Sequence, residues 1–168
     1  MKKITMLLVL LLMMVQSLAA KTVKEIINDY REENHAEYTY VSPAMMMMVR
    51  LAASKYSPEI GDVLKNVSSI SILRLNACKS KVKKKLIMEM GKLDEDEYQP
   101  MVMNASGKYS ADKDFKVLVK ADLDAVSEVV ALHANDNDCS LIQVEGKVSL
   151  NDIQKIVEGT KSMDKILK

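Results

Sequence analysis

The spacing of apolar residues changes along this chain, from a helical period in the first half to a period of two after about residue 98. A first helix is predicted at residues 22–30, because Thr22 and Glu25 form a capping box. A short strand is predicted at residues 38–41, which are aromatic and β-branched. The inner face of the first helix is predicted to consist of Val23, Ile26, Ile27 and Tyr30.

A second helix is predicted to begin at Ser42-Pro43, since serine caps helices and proline suits the first helical position. It should end near Tyr56, because Pro58 disfavours a helical residue before it. One or two further helical turns are predicted over residues 58–66. The predicted inner face of the second helix consists of Met45, Met48, Val49, Ala52 and Tyr56.

A central strand and a lysine-rich helix follow. The strand spans residues 67–77, and its alternation changes parity around Arg74, which predicts either two covered faces or a bulge. The helix spans residues 79–93, with lysines on its outer side. Its predicted inner face consists of Val82, Leu86, Ile87, Met90 and Leu93.

Alternating apolar residues in the second half predict four strands, at residues 99–105, 115–121, 127–134 and 139–147, and a short helix closes the pattern. No linker rich in Pro, Gly or Ser divides the chain. This order of elements predicts one α+β domain. We expect one mixed, mainly antiparallel sheet with helices packed on one face.

The N-terminal residues have the three-part pattern of a secretory signal peptide. Lys2 and Lys3 precede an apolar run at residues 4–15. Small residues follow, so cleavage is expected between Ala19 and Ala20. The alternative, a transmembrane anchor, needs about 20 apolar residues, more than this run provides. The predicted parts are a cleaved signal peptide at 1–19, the α+β domain at 20–158 and a loose tail at 159–168.

Composition and charge argue against some partners. Removing Lys2 and Lys3 from the 24 basic residues leaves 22 against 23 acidic ones, a net charge of −1. A near-neutral chain has no overall field to attract nucleic acid or an anionic membrane. Aromatic surface is limited to six Tyr and one Phe, which disfavours a stacking site for sugars or single strands.

The two cysteines, Cys78 and Cys139, are predicted at neighbouring strand ends. An exported chain enters an oxidising compartment, where such a pair can form a disulfide. The chain-entropy model gives a loop of about 60 residues a stabilisation of roughly 4 kcal/mol. The alternative is a pair of buried free thiols.

Three segments resemble a known family. Residues 141–153 combine an apolar strand, a Gly-Lys pair and an Asp-Ile helix start. Residues 69–75 resemble the central strand of the same family, and residues 40–43, followed by methionines, resemble its first strand–helix step. The family is the exported bacterial domain of unknown function 4252 (DUF4252). The resemblance implies a signal peptide, one α+β domain and a location in the Gram-negative cell envelope, and it carries over no catalytic or ligand-binding residue.

Two segments invite a metal-binding interpretation that their geometry does not favour. The four methionines at residues 45–48 could offer thioethers to Cu(I), but consecutive helical side chains point about 100° apart, so core packing is favoured. Residues 135–138 are acidic and amidic, but Leu141 stands where a calcium-binding EF-hand loop needs glycine, so a hairpin turn is favoured.

Charged and histidine residues do not form a recognisable catalytic pattern. His35 falls in a predicted loop and His133 in a predicted strand. No nucleophile elbow, His-Glu-x-x-His pair or phosphate loop occurs. The basic side chains expected to form a solvated helix face are Lys79, Lys81, Lys83, Lys84 and Lys85.

The sequence therefore predicts a non-catalytic binding or interaction module that is periplasmic or extracellular, with an envelope protein or peptide as partner. The first alternative is a carrier whose small apolar ligand lies between the sheet and the methionine-rich helix. The second is a hydrolase whose site is assembled by folding. No cofactor, metal ligand or catalytic residue is predicted, and no nucleic-acid partner or mature transmembrane segment.

Overall fold

The computed structural model of the protein describes residues 21–56, 58–93, 96–101, 115–122, 125–135 and 137–149. The predicted signal peptide, its cleavage positions Ala19 and Ala20, the final helix and the C-terminal tail lie outside these residues. The predicted domain boundaries therefore stay predictions.

Four helices and six strands occupy the described residues. In chain order they are α1 (Val23–Tyr30), β1 (Glu37–Val41), α2 (Pro43–Tyr56), α3 (Pro58–Leu64), β2 (Val67–Arg74), α4 (Ser80–Met90), β3 (Gln99–Pro100), β4 (Phe115–Asp122), β5 (Ala125–Ala134) and β6 (Cys139–Val148). This is the order that the apolar spacing predicts. The capping box is also confirmed, since the backbone N–H of Thr22 donates to Glu25 Oε2 at 2.8 Å.

The strands form one sheet in the order β1-β2-β6-β5-β4-β3. Every pairing in it is antiparallel. The α+β class is confirmed, although the described strands show no parallel pair of the kind a mixed sheet contains. Two helices, α2 and α3, connect β1 to β2, and β2 then returns along β1 in the opposite direction.

Helices cover both faces of the sheet, which differs from the expected single face. Successive strand residues point to opposite faces, so Leu73 and Ile70 of β2 lie on opposite sides. Leu73 belongs to a core that includes α1 and α4, whereas Ile70 packs against a core that includes Met46 of α2. The parity change predicted two covered faces as one of its alternatives. The bulge alternative is wrong at Arg74, because the β2–β6 register runs without a shift from Ser69 to Arg74; the register shift of this ladder lies earlier, between Val67 and Ser69.

We call the two apolar clusters the first and second cores. The first core joins α1 and α4 to the centre of the sheet, and its largest fully buried members are Tyr30, Ile26, Ile27, Leu73, Leu75, Leu86, Met90 and Leu141. The second core lies under α2, and its buried members are Met46, Val67, Val117, Val126, Val129, Ala131, Val144 and Val148. The predicted inner face of α1 is confirmed, because all four of its residues are buried.

Candidate functional site

Helix α2 contacts the sheet through the side chains of Met46 and Arg50. Met46 is fully buried in the second core. Arg50, four residues later on the same side, donates from Nη2 to the carbonyl oxygen of Val67 at 3.0 Å. These two residues fix which side of α2 faces the sheet, because residues four apart share one helix face.

The other sides of α2 expose large apolar side chains. We call them the methionine surface, and its members with their exposed fractions are Met45 (46%), Met47 (61%), Met48 (63%), Val49 (38%) and Leu51 (65%). The predicted inner face is wrong, because Met45, Met48, Val49 and Ala52 are all exposed, and the side chain of Tyr56 lies outside the described part of the chain.

Sequence reasoning missed this surface for a physical reason. Four consecutive methionines contain no polar residue to mark the solvent side, so their spacing fits several rotations of the helix. The signal that selects the rotation is Arg50, a charged residue whose long side chain reaches back to the sheet.

The methionine run does not form a metal site of the kind considered for Cu(I). Met46 is buried, while Met45, Met47 and Met48 are exposed, so the four sulfur atoms do not converge on one point. Core packing, favoured by the sequence, applies to Met46 alone. Nor does any group of three or more His, Cys, Asp or Glu side chains among the described residues form a metal-binding cluster.

Cys78 and Cys139 are both buried in the first core. Cys78 Sγ donates to the carbonyl oxygen of Asn34 at 3.3 Å, and the backbone N–H of Cys139 donates to Asn76 Oδ1 at 2.8 Å. Burial raises the pKa of the Cys78 thiol and raises that of Cys139 to about 11. Neither sulfur is therefore a ready thiolate nucleophile at neutral pH.

The predicted disulfide between Cys78 and Cys139 stays a prediction. Leu75 joins the two segments, since its N–H donates to the Cys139 carbonyl oxygen at 2.8 Å and its own carbonyl oxygen accepts from Cys78 at 3.0 Å. Alkylation in denaturant without reductant measures the pairing, because a bonded pair takes up no reagent and a free pair takes up two equivalents.

The lysine-rich helix α4 is only partly a solvated face. Lys79, Lys81, Lys84 and Lys85 are exposed, as expected. Lys83 is buried, and its Nζ donates to the carbonyl oxygen of Asn137 at 2.9 Å. The expectation is therefore wrong for Lys83, which joins α4 to the loop between β5 and β6.

A row of polar side chains crosses four strands on the face that carries the first core. We call it the polar row, and in strand order its members are Ser69, Glu145, Glu128 and Lys120. The Ser69 hydroxyl donates to Glu145 Oε2. The sequence carries a signal for this row, because Glu128 shares its strand parity with the buried Val130 and Leu132.

Glu128 is the most constrained member of the polar row. Its Oε1 accepts from Gln143 Nε2 at 2.8 Å, and its Oε2 accepts from the Tyr98 hydroxyl at 3.0 Å. Burial raises the pKa of the Glu128 carboxyl, and the nearby charge of Glu145 raises it further, against the lowering effect of the two hydrogen bonds. Because both oxygens accept hydrogen bonds, the hydrogen-bonding capacity of this partly buried carboxyl is satisfied.

Replacing Glu128 by Gln should stabilise the protein increasingly as pH rises. A raised pKa means that the folded state binds the proton more tightly than the unfolded state, so the wild type loses stability as pH rises from the ordinary glutamate pKa, about 4.3, through the folded value. The variant lacks this loss. Urea unfolding of both proteins between pH 4 and pH 7 measures the difference, and pH 4 is the internal reference. A difference that shrinks as pH rises would contradict the assignment.

The two histidines do not form a site together. His35 is exposed in the loop before β1, with φ 69°. His133 lies in β5, where its ring is 6.3 Å from the Phe115 ring between centroids. Strands β2 and β6 separate β1 from β5 in the sheet, so the structure does not bring the two imidazoles together.

The segment considered for calcium is a hairpin turn, as the sequence favoured. Asn135 Oδ1 accepts from the backbone N–H groups of Asn137 and Asp138 at 3.0 Å and 2.7 Å. The backbone of Asn135 also donates to the Asp138 carbonyl oxygen at 2.8 Å. The Asn135 carboxamide thus closes the turn between β5 and β6.

Within the part of the chain that is described, no helix has both the length and the apolar character needed to cross a membrane.

Comparison with known proteins places the chain in a family. Residues 30–156, about three quarters of the chain, match the family described as domain of unknown function (DUF4252). No curated protein and no solved structure matches the chain. The chain therefore belongs to the DUF4252 family, as the resemblance of its strands and turns predicted.

Proposed function

We propose that this protein is an exported, non-catalytic interaction module that binds an envelope protein or peptide through the methionine surface of α2. The observation that carries the proposal is the exposure of five large apolar side chains on one helix. Contiguous apolar patches of several hundred Å² on a soluble protein mark interaction sites.

The composition of the methionine surface suits a protein partner. Methionine side chains are flexible and polarisable, so they adapt to differently shaped apolar partners. The helix carries only two charged residues in the described part, Arg50 and Lys55, and Arg50 is turned towards the sheet. An apolar peptide or helix could therefore bury these methionines without desolvating many charges.

The position of Met46 weakens the carrier alternative. That hypothesis requires the methionines to line an apolar pocket between α2 and the sheet. Met46 is instead packed among second-core residues, and Met45, Met47 and Met48 point away from that space. The exposed helix face supports an external partner better than an enclosed small ligand.

The N-terminal pattern and the family support the exported location. Lys2, Lys3 and the apolar run at residues 4–15 form a signal peptide pattern. Fractionation of the native host, with the intact mass of the recovered chain, tests this directly. We expect a chain that begins at Ala20 and is recovered in the envelope fraction. A cytoplasmic chain that retains residues 1–19 would contradict export.

Lysine substitution on the methionine surface should abolish partner capture. Crosslinking in the native envelope, followed by mass spectrometry, identifies what the wild type captures. In the double variant Met47→Lys, Leu51→Lys we expect capture to fall at least tenfold, a loss of about 1.4 kcal/mol or more, because buried apolar contacts are replaced by charges.

The matched control for this experiment is Met88→Lys. Met88 is a methionine of α4 that is 61% exposed, and α4 covers the opposite face of the sheet. This variant should capture the partner as the wild type does. Equal capture by the α2 double variant and the wild type would exclude the methionine surface as the binding site.

A further inference from the structure

Strand β1 lies at one edge of the sheet, where it pairs with β2 alone among the described strands. We propose that β1 pairs antiparallel with β1 of a second copy of this chain, about a two-fold axis at Thr39. Unpaired strand edges are templates for adding another strand. Two devices that often prevent this, lysine and proline, are missing from β1, and Glu37 at its first position is its one charged residue.

The sequence of β1 is self-complementary in this pairing. Tyr38, Thr39 and Tyr40 read the same in both directions. An antiparallel pair centred on Thr39 therefore places Thr39 opposite Thr39 of the second copy, and each Tyr40 opposite a Tyr38. Two-fold dimers need this property, because the same surface must fit itself.

The tyrosines supply the side-chain contacts on one face. Tyr40 is 45% exposed, although Ser71, the residue opposite it on β2, is buried. Tyr38 is partly buried against the first core. In the dimer each exposed Tyr40 ring would lie beside a Tyr38 ring of the other copy. Directly opposed aromatic pairs contribute about 0.2–1 kcal/mol each, and this dimer would contain two of them.

Charge is complementary at the two ends of the paired strands. Glu37 is the only charged residue of β1, and in this register it stands opposite Val41 of the second copy. Helix α2 of that copy begins two residues later, at Pro43, and its first turn contains no acidic residue. A carboxylate near a helix N-terminus is favourable, so each Glu37 would complement the other copy's α2.

The apolar side-chain surface beside the β1 edge is about half of what a standard interface buries on each partner. The first two turns of α2 follow β1 directly and carry Met45, Met47 and Met48. Tyr40 lies on the first-core side of β1 and these methionines on the second-core side. Together they leave on the order of 400 Å² of side-chain surface in water on each copy. A standard interface buries about 800 Å² per partner. The backbone edge of β1 adds contact to this surface, and an interface below the standard size is typical of weak association, so we expect a dissociation constant in the micromolar range.

The inference rests on the proposed function in one respect, because it uses part of the same methionine surface. The second copy would cover Met45, Met47 and Met48. Leu51, further along α2, stays accessible to another protein. Met47 belongs to both surfaces, whereas Thr39 belongs to the dimer alone, so Thr39→Lys tests the dimer without altering the methionine surface.

The oligomeric mass in solution is the first test. The protein, expressed from its full sequence and with its processed mass determined, should sediment as a dimer at about 100 μM, where a micromolar complex is saturated. Thr39→Lys should raise the dissociation constant at least tenfold, because it opposes two like charges at the axis. Thr39 is exposed, so the fold should tolerate lysine. Met88→Lys should leave the dimer unchanged, because Met88 is an exposed residue of α4 that is not part of the surface assigned to the dimer.

Disulfide crosslinking tests the register independently of that variant. Directly opposite residues have Cα atoms about 4.5–5.5 Å apart, which suits a disulfide. Thr39→Cys should therefore form a covalent dimer with oxidised glutathione, which is reduced to two thiols as the bond forms. Glu37→Cys is the control, because its two copies would be about 13 Å apart along the strands.

A monomer at this concentration would overturn the proposal, as would crosslinking of Glu37→Cys as fast as Thr39→Cys. A dimer that is lost in Met47→Lys, Leu51→Lys but kept in Thr39→Lys would also overturn β1 pairing, while leaving the methionine surface as a docking site. Dissociation in Thr39→Lys together with the register-specific crosslink would establish the pairing.

Discussion

Replacing Gly146 by Ala is expected to destabilise the protein by about 3 kcal/mol or more, which would lower Tm by roughly 10 °C. Gly146 lies in β6, the strand between β2 and β5, with φ 156°. A Cβ atom there would lie 2.1 Å from the carbonyl oxygen of Asn66 and 2.9 Å from Val67 Cα. Both obstacles are backbone atoms, so no side-chain rotation can relieve the clash.

The close approach at Gly146 belongs to an irregular part of the sheet. The β2–β6 register shifts between Val67 and Ser69, and the β5–β6 register shifts between Val126 and Glu128, both beside this glycine. The N–H of the next residue, Lys147, donates to the Asn66 carbonyl oxygen at 2.9 Å. Alanine would have to break this contact or distort both ladders.

Gly91→Ala is the matched control for this substitution. Gly91 has φ −75°, and an added Cβ would meet the Met88 and Ile87 carbonyl oxygens at 3.4 Å and 3.5 Å, ordinary contact distances. We expect a change of less than about 1 kcal/mol. Thermal and urea unfolding of both variants measure the difference. Equal stabilities for the two variants would show that the Asn66 backbone moves away at little cost.

Leu86→Ala should destabilise the protein by about 3 kcal/mol, whereas Ile87→Ala should change its stability by less than about 1 kcal/mol. The two residues are adjacent on α4, and apolar spacing predicts that both face inwards. Leu86 is fully buried in the first core, so truncation leaves a cavity among packed side chains. Ile87 is 41% exposed, and alanine is the better helix former.

The two variants control for each other, because Leu86 and Ile87 are adjacent on one helix and their side chains contain the same number of atoms. Urea midpoints for both variants, with unchanged slopes, would report stability alone. A loss at Ile87 comparable to that at Leu86 would mean that the exposed side of α4 is covered in solution. The sequence predicts Ile87 on the inner face of α4, and the structure contradicts this because Ile87 is exposed. A large loss at Ile87 would support the sequence-based prediction instead.

Local patterns were sufficient for the elements themselves. Thr22 and Glu25 marked the start of α1, and Pro43 and Pro58 marked the starts of α2 and α3. These patterns act within a few residues, through capping hydrogen bonds and restricted backbone angles. The DUF4252 membership also followed from strand and turn patterns, and the family match confirms it.

Helix rotation was predictable only where polar residues mark one side. In α1, polar residues separate the apolar ones, and the predicted inner face was correct. In α2 the methionines surround the helix, so Met46 is selected by its fit in the second core and by the hydrogen bond of Arg50 to β2. The candidate docking surface is what this selection leaves exposed.

The sequence by itself determined the α+β class, the order of the elements and the apolar alternation of the strands, because these depend on spacing within short segments. Tertiary structure alone decided that helices cover both faces, that Lys83 is buried, that Glu128 bonds to Tyr98 and Gln143, and that β1 is an edge of the described sheet. Those outcomes depend on contacts between segments far apart in the chain, such as Glu128 with Tyr98 and Arg50 with Val67. Long-range packing chooses among arrangements that the local pattern permits equally, and both proposed interaction surfaces are consequences of that choice.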